Sequence, residues 1–89
     1  MEDLTKLPNI GSVLAEILGG VGITKYEDLA SLGSIQVLLK IRTLIDPSAC
    51  TNMLYAVEGA IRGVRWHNIP KEERQRLKSE YELALRKAA

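Results

Sequence analysis

The sequence contains no phenylalanine, and its aromatic residues are limited to one tryptophan and three tyrosines among 89 residues. A core without many large rings has to be built from aliphatic side chains, and 13 Leu, 8 Ile and 5 Val are enough for one small domain. The chain also lacks any apolar run near the roughly 18 residues that a membrane span requires. These absences predict a single domain over residues 1–89 that does not enter a membrane.

Cysteine is nearly absent as well. Cys50 has no second cysteine with which to form an internal disulfide, and the opening residues MEDLTK lack the apolar stretch of a secretory signal. We therefore expect a cytoplasmic protein. Cys50 and His67 are the only thiol and the only imidazole, and together they fall short of the three or four ligands of a zinc site. No metal and no cofactor is predicted.

Sequence motifs of catalysis are also missing. The chain has neither a Gly-x-Gly-x-x-Gly nor a Gly-Lys-Ser/Thr phosphate loop, and its carboxylates form no evident acid–base pair. No reaction can be assigned without groups positioned to move a proton or attack a substrate. We expect a protein that is not an enzyme.

Charge is distributed unevenly along a chain whose net charge is only +1. Residues 1–61 carry four Lys/Arg and seven Asp/Glu, whereas residues 62–89 carry eight Lys/Arg and four Glu. A basic C-terminal third is compatible with an anionic partner such as nucleic acid. A solvated helix with alternating Glu and Lys/Arg explains the same pattern, so charge alone leaves the partner open.

Hydrophobic periodicity predicts an all-α fold, a compact bundle of about five short helices. Apolar residues recur at spacings of three and four, and no alternating strand pattern occurs. Glycines that can adopt left-handed conformations mark several of the helix ends. The helices are expected at about 12–18, 24–29, 35–42 and 47–62, and from 71 onwards.

Polar residues at the predicted boundaries indicate how the helices begin. Thr24 and Glu27 have the spacing of a capping box for the second helix, in which each side chain satisfies an orphan amide. Ser34 is the candidate N-cap of the third helix. Asp46 followed by Pro47 predicts the start of the fourth, because proline is favoured at the first helical position.

The apolar stripes predict which side chains are buried. The stripe of the fourth helix is expected to bury Cys50, Val57 and Ile61. Trp66 is interpreted as a wedge between the last two helices, although an indole can also stack on a nucleobase. The residues of the last helix expected to face water are Arg74, Lys78 and Glu82.

The segment over about residues 4–30 resembles the helix-hairpin-helix pattern, in which Leu-Pro-Gly-Ile-Gly precedes a helix. Ile10 is expected to anchor the turn in the core, while Gly11 leaves the next helix N-terminus uncovered. Unpaired amides and the positive end of the helix dipole bind phosphate. Asn9 stands where the pattern has glycine. Asparagine tolerates the left-handed conformation, but its side chain can occupy the space that a phosphate would need.

A longer resemblance covers nearly the whole chain. Six short segments, taken in their order along the chain, resemble the C-terminal domain of the TfoX/Sxy family of competence regulators. They are LPNIG, Gly22-Ile23, Asp28-Leu29, Leu32-Gly33, MLYAVEGAIRGVRWH and Ile69-Pro70. The resemblance implies a bacterial origin and a role in controlling DNA-uptake genes. The N-terminal domain of those regulators is missing, so we expect either a stand-alone relative or part of a longer regulator.

Two functions stay open at this point. The leading hypothesis is a non-catalytic helical module that binds the DNA backbone without sequence preference. The alternative is a module that docks a transcription-related protein or a second copy of itself, and the fold alone does not choose between them. The oligomeric state is not predicted. The candidate phosphate contacts are Asn9, Ile10, Gly11 and Ser12, with Arg62 and Arg65 as weaker candidates. Arg62 can equally offset the negative end of the fourth helix.

Overall fold

The structure, a computed structural model, describes residues 4–88. Five α-helices follow a 3₁₀ turn at Leu4–Lys6, and a second 3₁₀ turn at Trp66–Asn68 precedes the last helix. The described residues contain no strand, so the all-α prediction is confirmed. The helices are α1 (Ser12–Gly20), α2 (Tyr26–Leu32), α3 (Ser34–Leu44), α4 (Thr51–Arg62) and α5 (Lys71–Ala88).

The third helix lies at the centre of the bundle. It packs against α2, α4 and α5, and its residues Val37, Leu38 and Ile41 are completely buried. Apolar side chains from the other helices complete one core in which closely packed aliphatic groups replace large rings. The completely buried leucines of α1, α2 and α4 are Leu18, Leu29 and Leu54.

The fourth helix begins later than the sequence predicts, and the expected Asp46-Pro47 start is wrong. The Asp46 carboxylate instead accepts hydrogen bonds from the amide and the hydroxyl of Ser48 at 2.9 and 2.6 Å, which forms a turn. This turn buries Ala49, whose carbonyl accepts a hydrogen bond from the Tyr81 hydroxyl at 3.3 Å. The segment docks against α5 before the helix starts.

The displaced start changes the environment of Cys50. This residue is the N-cap of α4 and is exposed, so the prediction that it is buried is wrong. Val57 is completely buried as expected, whereas Ile61 is only half-buried. The end of the helix agrees with the prediction, because Gly63 adopts the left-handed conformation with φ 76° and ψ 28°.

Two predicted caps are replaced by other contacts. Thr24 does not form a capping box with Glu27; its amide donates to the Asp28 carboxylate at 3.4 Å. Ser34 is not the N-cap of α3, because it is already the first helical residue. It is buried, and its hydroxyl donates to the Glu58 carboxylate of α4 at 2.7 Å.

The last helix buries Leu77 and Tyr81 on the face that packs against α3 and α4. Arg74 departs from the prediction that it faces water: it is half-buried, and its Nε donates to the Ile69 carbonyl at 3.1 Å. None of the helices within residues 4–88, α5 included, is both long enough and apolar enough to cross a membrane. The residues of α5 that do face water as predicted are Lys78 and Glu82.

The helix-hairpin-helix motif over residues 4–30 stays a prediction. α1 packs against the N-terminal 3₁₀ turn, while α2 packs against α3 and α4. The first helix extends through Gly20, two residues further than expected, and the Ile23 amide closes it by donating to the Leu18 carbonyl at 2.9 Å. The arrangement places the start of α1 beside the 3₁₀ turn at the surface.

Candidate functional site

The turn before α1 lies beside the segment that follows α4. An open groove of about 520 Å³ is lined by residues 5–11 and by Arg65. Its charged lining residues, Lys6 and Arg65, are both basic and exposed. Within residues 4–88, neither is paired with a carboxylate. The groove therefore combines two cations with a surface turn, which favours an anionic ligand.

The structure brings three of the four predicted phosphate contacts into this groove, namely Asn9, Ile10 and Gly11. Ser12 begins α1 and is exposed immediately beyond them. Ile10 is buried, so it anchors the turn in the core as expected. Asn9 adopts the left-handed conformation with φ 70°, which asparagine tolerates better than most residues.

The side chain of Asn9 is bonded to α4 and to the loop that follows it. Its amide nitrogen donates to the Val64 carbonyl at 2.9 Å and to the Ala56 carbonyl at 3.4 Å. Its amide oxygen accepts a hydrogen bond from the backbone amide of Trp66 at 3.1 Å. These bonds direct the polar atoms of the side chain to α4 and the loop after it. Among the described residues, no side chain caps α1.

Gly11, the N-cap of α1, has no structural requirement for glycine. Its backbone is extended, with φ −92° and ψ −175°, which any residue can adopt. An added Cβ would meet nothing within 4 Å. The first turn of α1 contains no acidic residue, and its amides have no partner within the helix. Within residues 4–88, the positive end of the α1 dipole therefore has no acidic residue in its first turn and no side-chain cap.

Arg62 lies outside the groove. Its Nε donates to the Glu58 carboxylate at 2.7 Å, and its Nη1 donates to the Glu73 carboxylate of α5 at 2.5 Å. The hydrogen bonds to Glu58 and then to Glu73 raise the pKa of the guanidinium above its already high usual value. This arginine links α4 to α5, and its guanidinium is engaged away from the groove that Arg65 lines.

Trp66 lies between the last two helices, as predicted. Its half-buried ring stacks on Tyr55 of α4 with the centroids 5.9 Å apart, and on exposed His67 with the centroids 4.0 Å apart. The guanidinium of Arg74 in α5 lies 5.6 Å from the centroid of the indole. Contacts within the protein thus account for the position of the indole.

The family model for the TfoX C-terminal domain matches residues 1–81. The chain belongs to this family. It is also similar to the crystal structure of an uncharacterized protein from Listeria monocytogenes in a triclinic form, with 37% identity over 93% of each chain and a TM-score of 0.86. A protein of unknown function from the same organism, in a tetragonal form, shows 38% identity over 92% of this chain and 99% of that one, with a TM-score of 0.84. No curated protein matches the chain.

Two residues important to the groove of this TfoX C-terminal domain were not singled out from the sequence. Lys6 lines the groove, and the signal that could have identified it is its place two residues before Pro8 as the first basic residue of the chain. Gly59 lies beneath the turn, where an added Cβ would come within 2.5 Å of Asn9 Nδ2 and 2.7 Å of the Val64 carbonyl. A glycine inside a helix is unfavourable, which is a signal for close approach of another segment.

Proposed function

We propose that this TfoX C-terminal domain is a non-catalytic module that binds the phosphate backbone of DNA through the groove formed by residues 5–11 and Arg65. One observation carries the proposal: the N-terminus of α1, which no side chain of residues 4–88 caps, adjoins a groove whose charged residues, Lys6 and Arg65, are both basic. Helix N-terminal amides bind phosphate oxygens through hydrogen bonds and through the dipole. A guanidinium beside them adds charge-assisted hydrogen bonds to the same ligand.

Such binding is independent of base sequence, because these groups contact phosphate and not base edges. We expect a dissociation constant for duplex DNA on the order of 10⁻⁴–10⁻⁶ M at physiological salt. One turn and two cations neutralise about two to four phosphates, which gives a slope of about −2 to −4 in a plot of log K against log salt concentration. In the role that the family resemblance implies, the domain would hold a competence regulator on DNA while other contacts choose the gene.

The test is fluorescence anisotropy with labelled 20-base-pair duplexes of unrelated sequence, at 50 mM salt and above. Gly11→Val places a branched side chain beside the amides of the first turn of α1, and the open space around Gly11 allows the fold to accept it. The matched control is Gly19→Val, the same change near the opposite end of the same helix, where a Cβ also meets nothing within 4 Å. Gly63 is unsuitable as a control because its φ of 76° disfavours any side chain.

We expect the parent and Gly19→Val to bind every duplex with similar affinity and Gly11→Val to lose at least tenfold. Circular dichroism should show that all three proteins are folded. The proposal fails if the parent does not bind at 50 mM salt, or if Gly11→Val binds as well as Gly19→Val.

A second candidate function, docking of a transcription-related protein, is favoured by exposed apolar side chains at the end of α3. Leu44 and Ile45 retain 64% and 45% of their accessible surface, which is unusual for adjacent large aliphatic residues. If duplex DNA does not bind, this function becomes the leading one. Leu44→Lys should then weaken capture of that partner without unfolding the domain.

A further inference from the structure

The two residues that flank Arg65 are both bonded to one side chain of the turn. The carbonyl of Val64, just before the arginine, accepts a hydrogen bond from Asn9 Nδ2 at 2.9 Å. The amide of Trp66, just after it, donates to Asn9 Oδ1 at 3.1 Å. The backbone on either side of Arg65 is therefore tied to the residue that precedes Ile10 and Gly11 in the groove.

We propose that Asn9 is a positioning residue that holds Arg65 at the groove, so that the turn and the guanidinium act on one ligand as a unit. The proposal rests on the proposed binding of DNA phosphate by this groove. Asn9 itself need not contact the ligand, because its amide nitrogen and oxygen are both engaged with α4 and the loop after it. Its contribution is to remove the freedom of a loop that would otherwise have to be ordered during binding.

The local structure shows why this residue can make both bonds. The left-handed backbone of Asn9, with φ 70°, lets the turn reverse while the side chain reaches α4. Gly59 leaves the space that the amide fills, because any Cβ there would lie within 2.5 Å of Nδ2. The carboxamide of Asn9 has both a hydrogen-bond donor and an acceptor. The donor serves the Val64 carbonyl, and the acceptor serves the Trp66 amide.

The test is a double-mutant cycle on binding of the labelled 20-base-pair duplex. Asn9→Gly keeps the left-handed backbone accessible and removes the amide, while Arg65→Ala removes the guanidinium. We expect each single variant to weaken binding by about fivefold to tenfold and to reduce the salt slope by about one unit, the loss of one phosphate contact. The double variant should bind no more weakly than the weaker single variant, because Arg65 contributes only when Asn9 positions it.

A control separates positioning from a general loss of stability. Tyr26→Phe removes a hydroxyl that donates to the Ile61 carbonyl at 2.7 Å, near the same end of α4 but outside the groove. Like Asn9→Gly, this variant loses a side-chain hydrogen bond to the backbone at this end of α4 and should be less stable than the parent, as measured by urea denaturation. Its affinity for DNA and its salt slope should equal those of the parent.

The outcomes distinguish the two proposals. A parent that does not bind DNA overturns both the function and the positioning role. A parent that binds, with effects of Asn9→Gly and Arg65→Ala that multiply in the double variant, overturns the positioning role alone. The positioning role is also overturned if Asn9→Gly binds DNA as tightly as the parent, or if Tyr26→Phe loses as much affinity for DNA as Asn9→Gly does. The positioning role is supported if the double variant binds DNA no more weakly than the weaker single variant and Tyr26→Phe keeps the DNA affinity of the parent.

Discussion

The side-chain amide of Asn9 lies against Gly59, where an added Cβ would come within 2.5 Å of its nitrogen. Glycine inside a helix lowers stability by about 1 kcal/mol relative to alanine. The cost is offset by the close approach that it permits, through which a turn near the N-terminus packs on a helix far along the chain. The relationship between these two residues joins the groove to the core of the domain.

The first prediction concerns that approach. Gly59→Ala should destabilise the domain by about 1–3 kcal/mol, the usual effect of overpacking a tight site. The obstruction is severe because the Val64 carbonyl, a backbone atom that cannot rotate away, would also lie 2.7 Å from the new Cβ. Urea denaturation followed by circular dichroism measures the change. Gly19→Ala, at an open helical position, is the control and should not lower the midpoint. Equal midpoints for both variants would show that Asn9 does not occupy the space over Gly59.

The second prediction concerns the only tryptophan. Trp66→Ala should lower the free energy of unfolding by about 2–3 kcal/mol, less than the 3–5 kcal/mol typical of a fully buried aromatic residue, because the ring is half-buried. The loss comes from the stacking with Tyr55 and the contact with the Arg74 guanidinium. Thermal and urea denaturation measure it. A midpoint equal to that of the parent would show that the indole does not pack between α4 and α5.

The third prediction separates the two candidate arginines. Arg62→Ala should cost about 0.5–1 kcal/mol of stability, because its ion pairs with Glu58 and Glu73 are partly solvent-screened. It should change DNA affinity less than Arg65→Ala, which in turn should leave stability nearly unchanged. Denaturation and anisotropy on both variants provide the comparison. If Arg62→Ala weakens DNA binding more than Arg65→Ala does, Arg65 is not the arginine that contacts the phosphate.

The fourth prediction concerns the turn that replaces the expected start of α4. The Ser48 hydroxyl, followed by the Ser48 amide, lowers the pKa of the Asp46 carboxyl below its ordinary value. A lowered pKa in the folded state means that the contact favours folding above the ordinary pKa and is lost as the pH falls through the folded value. Titration by carbonyl NMR should show this depression, and Ser48→Ala should raise the pKa of Asp46. An identical titration in the variant would contradict the hydrogen bond.

The fifth prediction concerns the thiol that the periodic pattern placed in the core. Because Cys50 is exposed at the N-cap of α4, it should react with a thiol reagent in the native protein without prior unfolding. The reaction should be complete at urea concentrations where circular dichroism shows no loss of helix. Protection that disappears only on unfolding would mean that α4 begins earlier, at the predicted Asp46-Pro47 boundary.

Much of the architecture follows from local rules that the chain carries along its length. The spacing of apolar residues predicts the number and order of the helices, since one face of each helix must leave water. Gly63 ends α4 where expected because the left-handed conformation that closes a helix depends on a single residue. Ile10 is buried for a similarly local reason, as the one large apolar side chain between Asn9 and Gly11.

The contacts between residues far apart in the chain depend on how the helices pack. Nothing near Asn9 in the chain indicates that its amide bonds to Val64 and Trp66, because that pairing depends on how the turn packs against α4. The same holds for the start of α4. Asp46-Pro47 is a sound local signal for a helix, yet the turn with Ser48 forms because Ala49 is buried and bonded to Tyr81 of α5. Local propensities amount to tenths of a kcal/mol per residue, and burial against another element outweighs them.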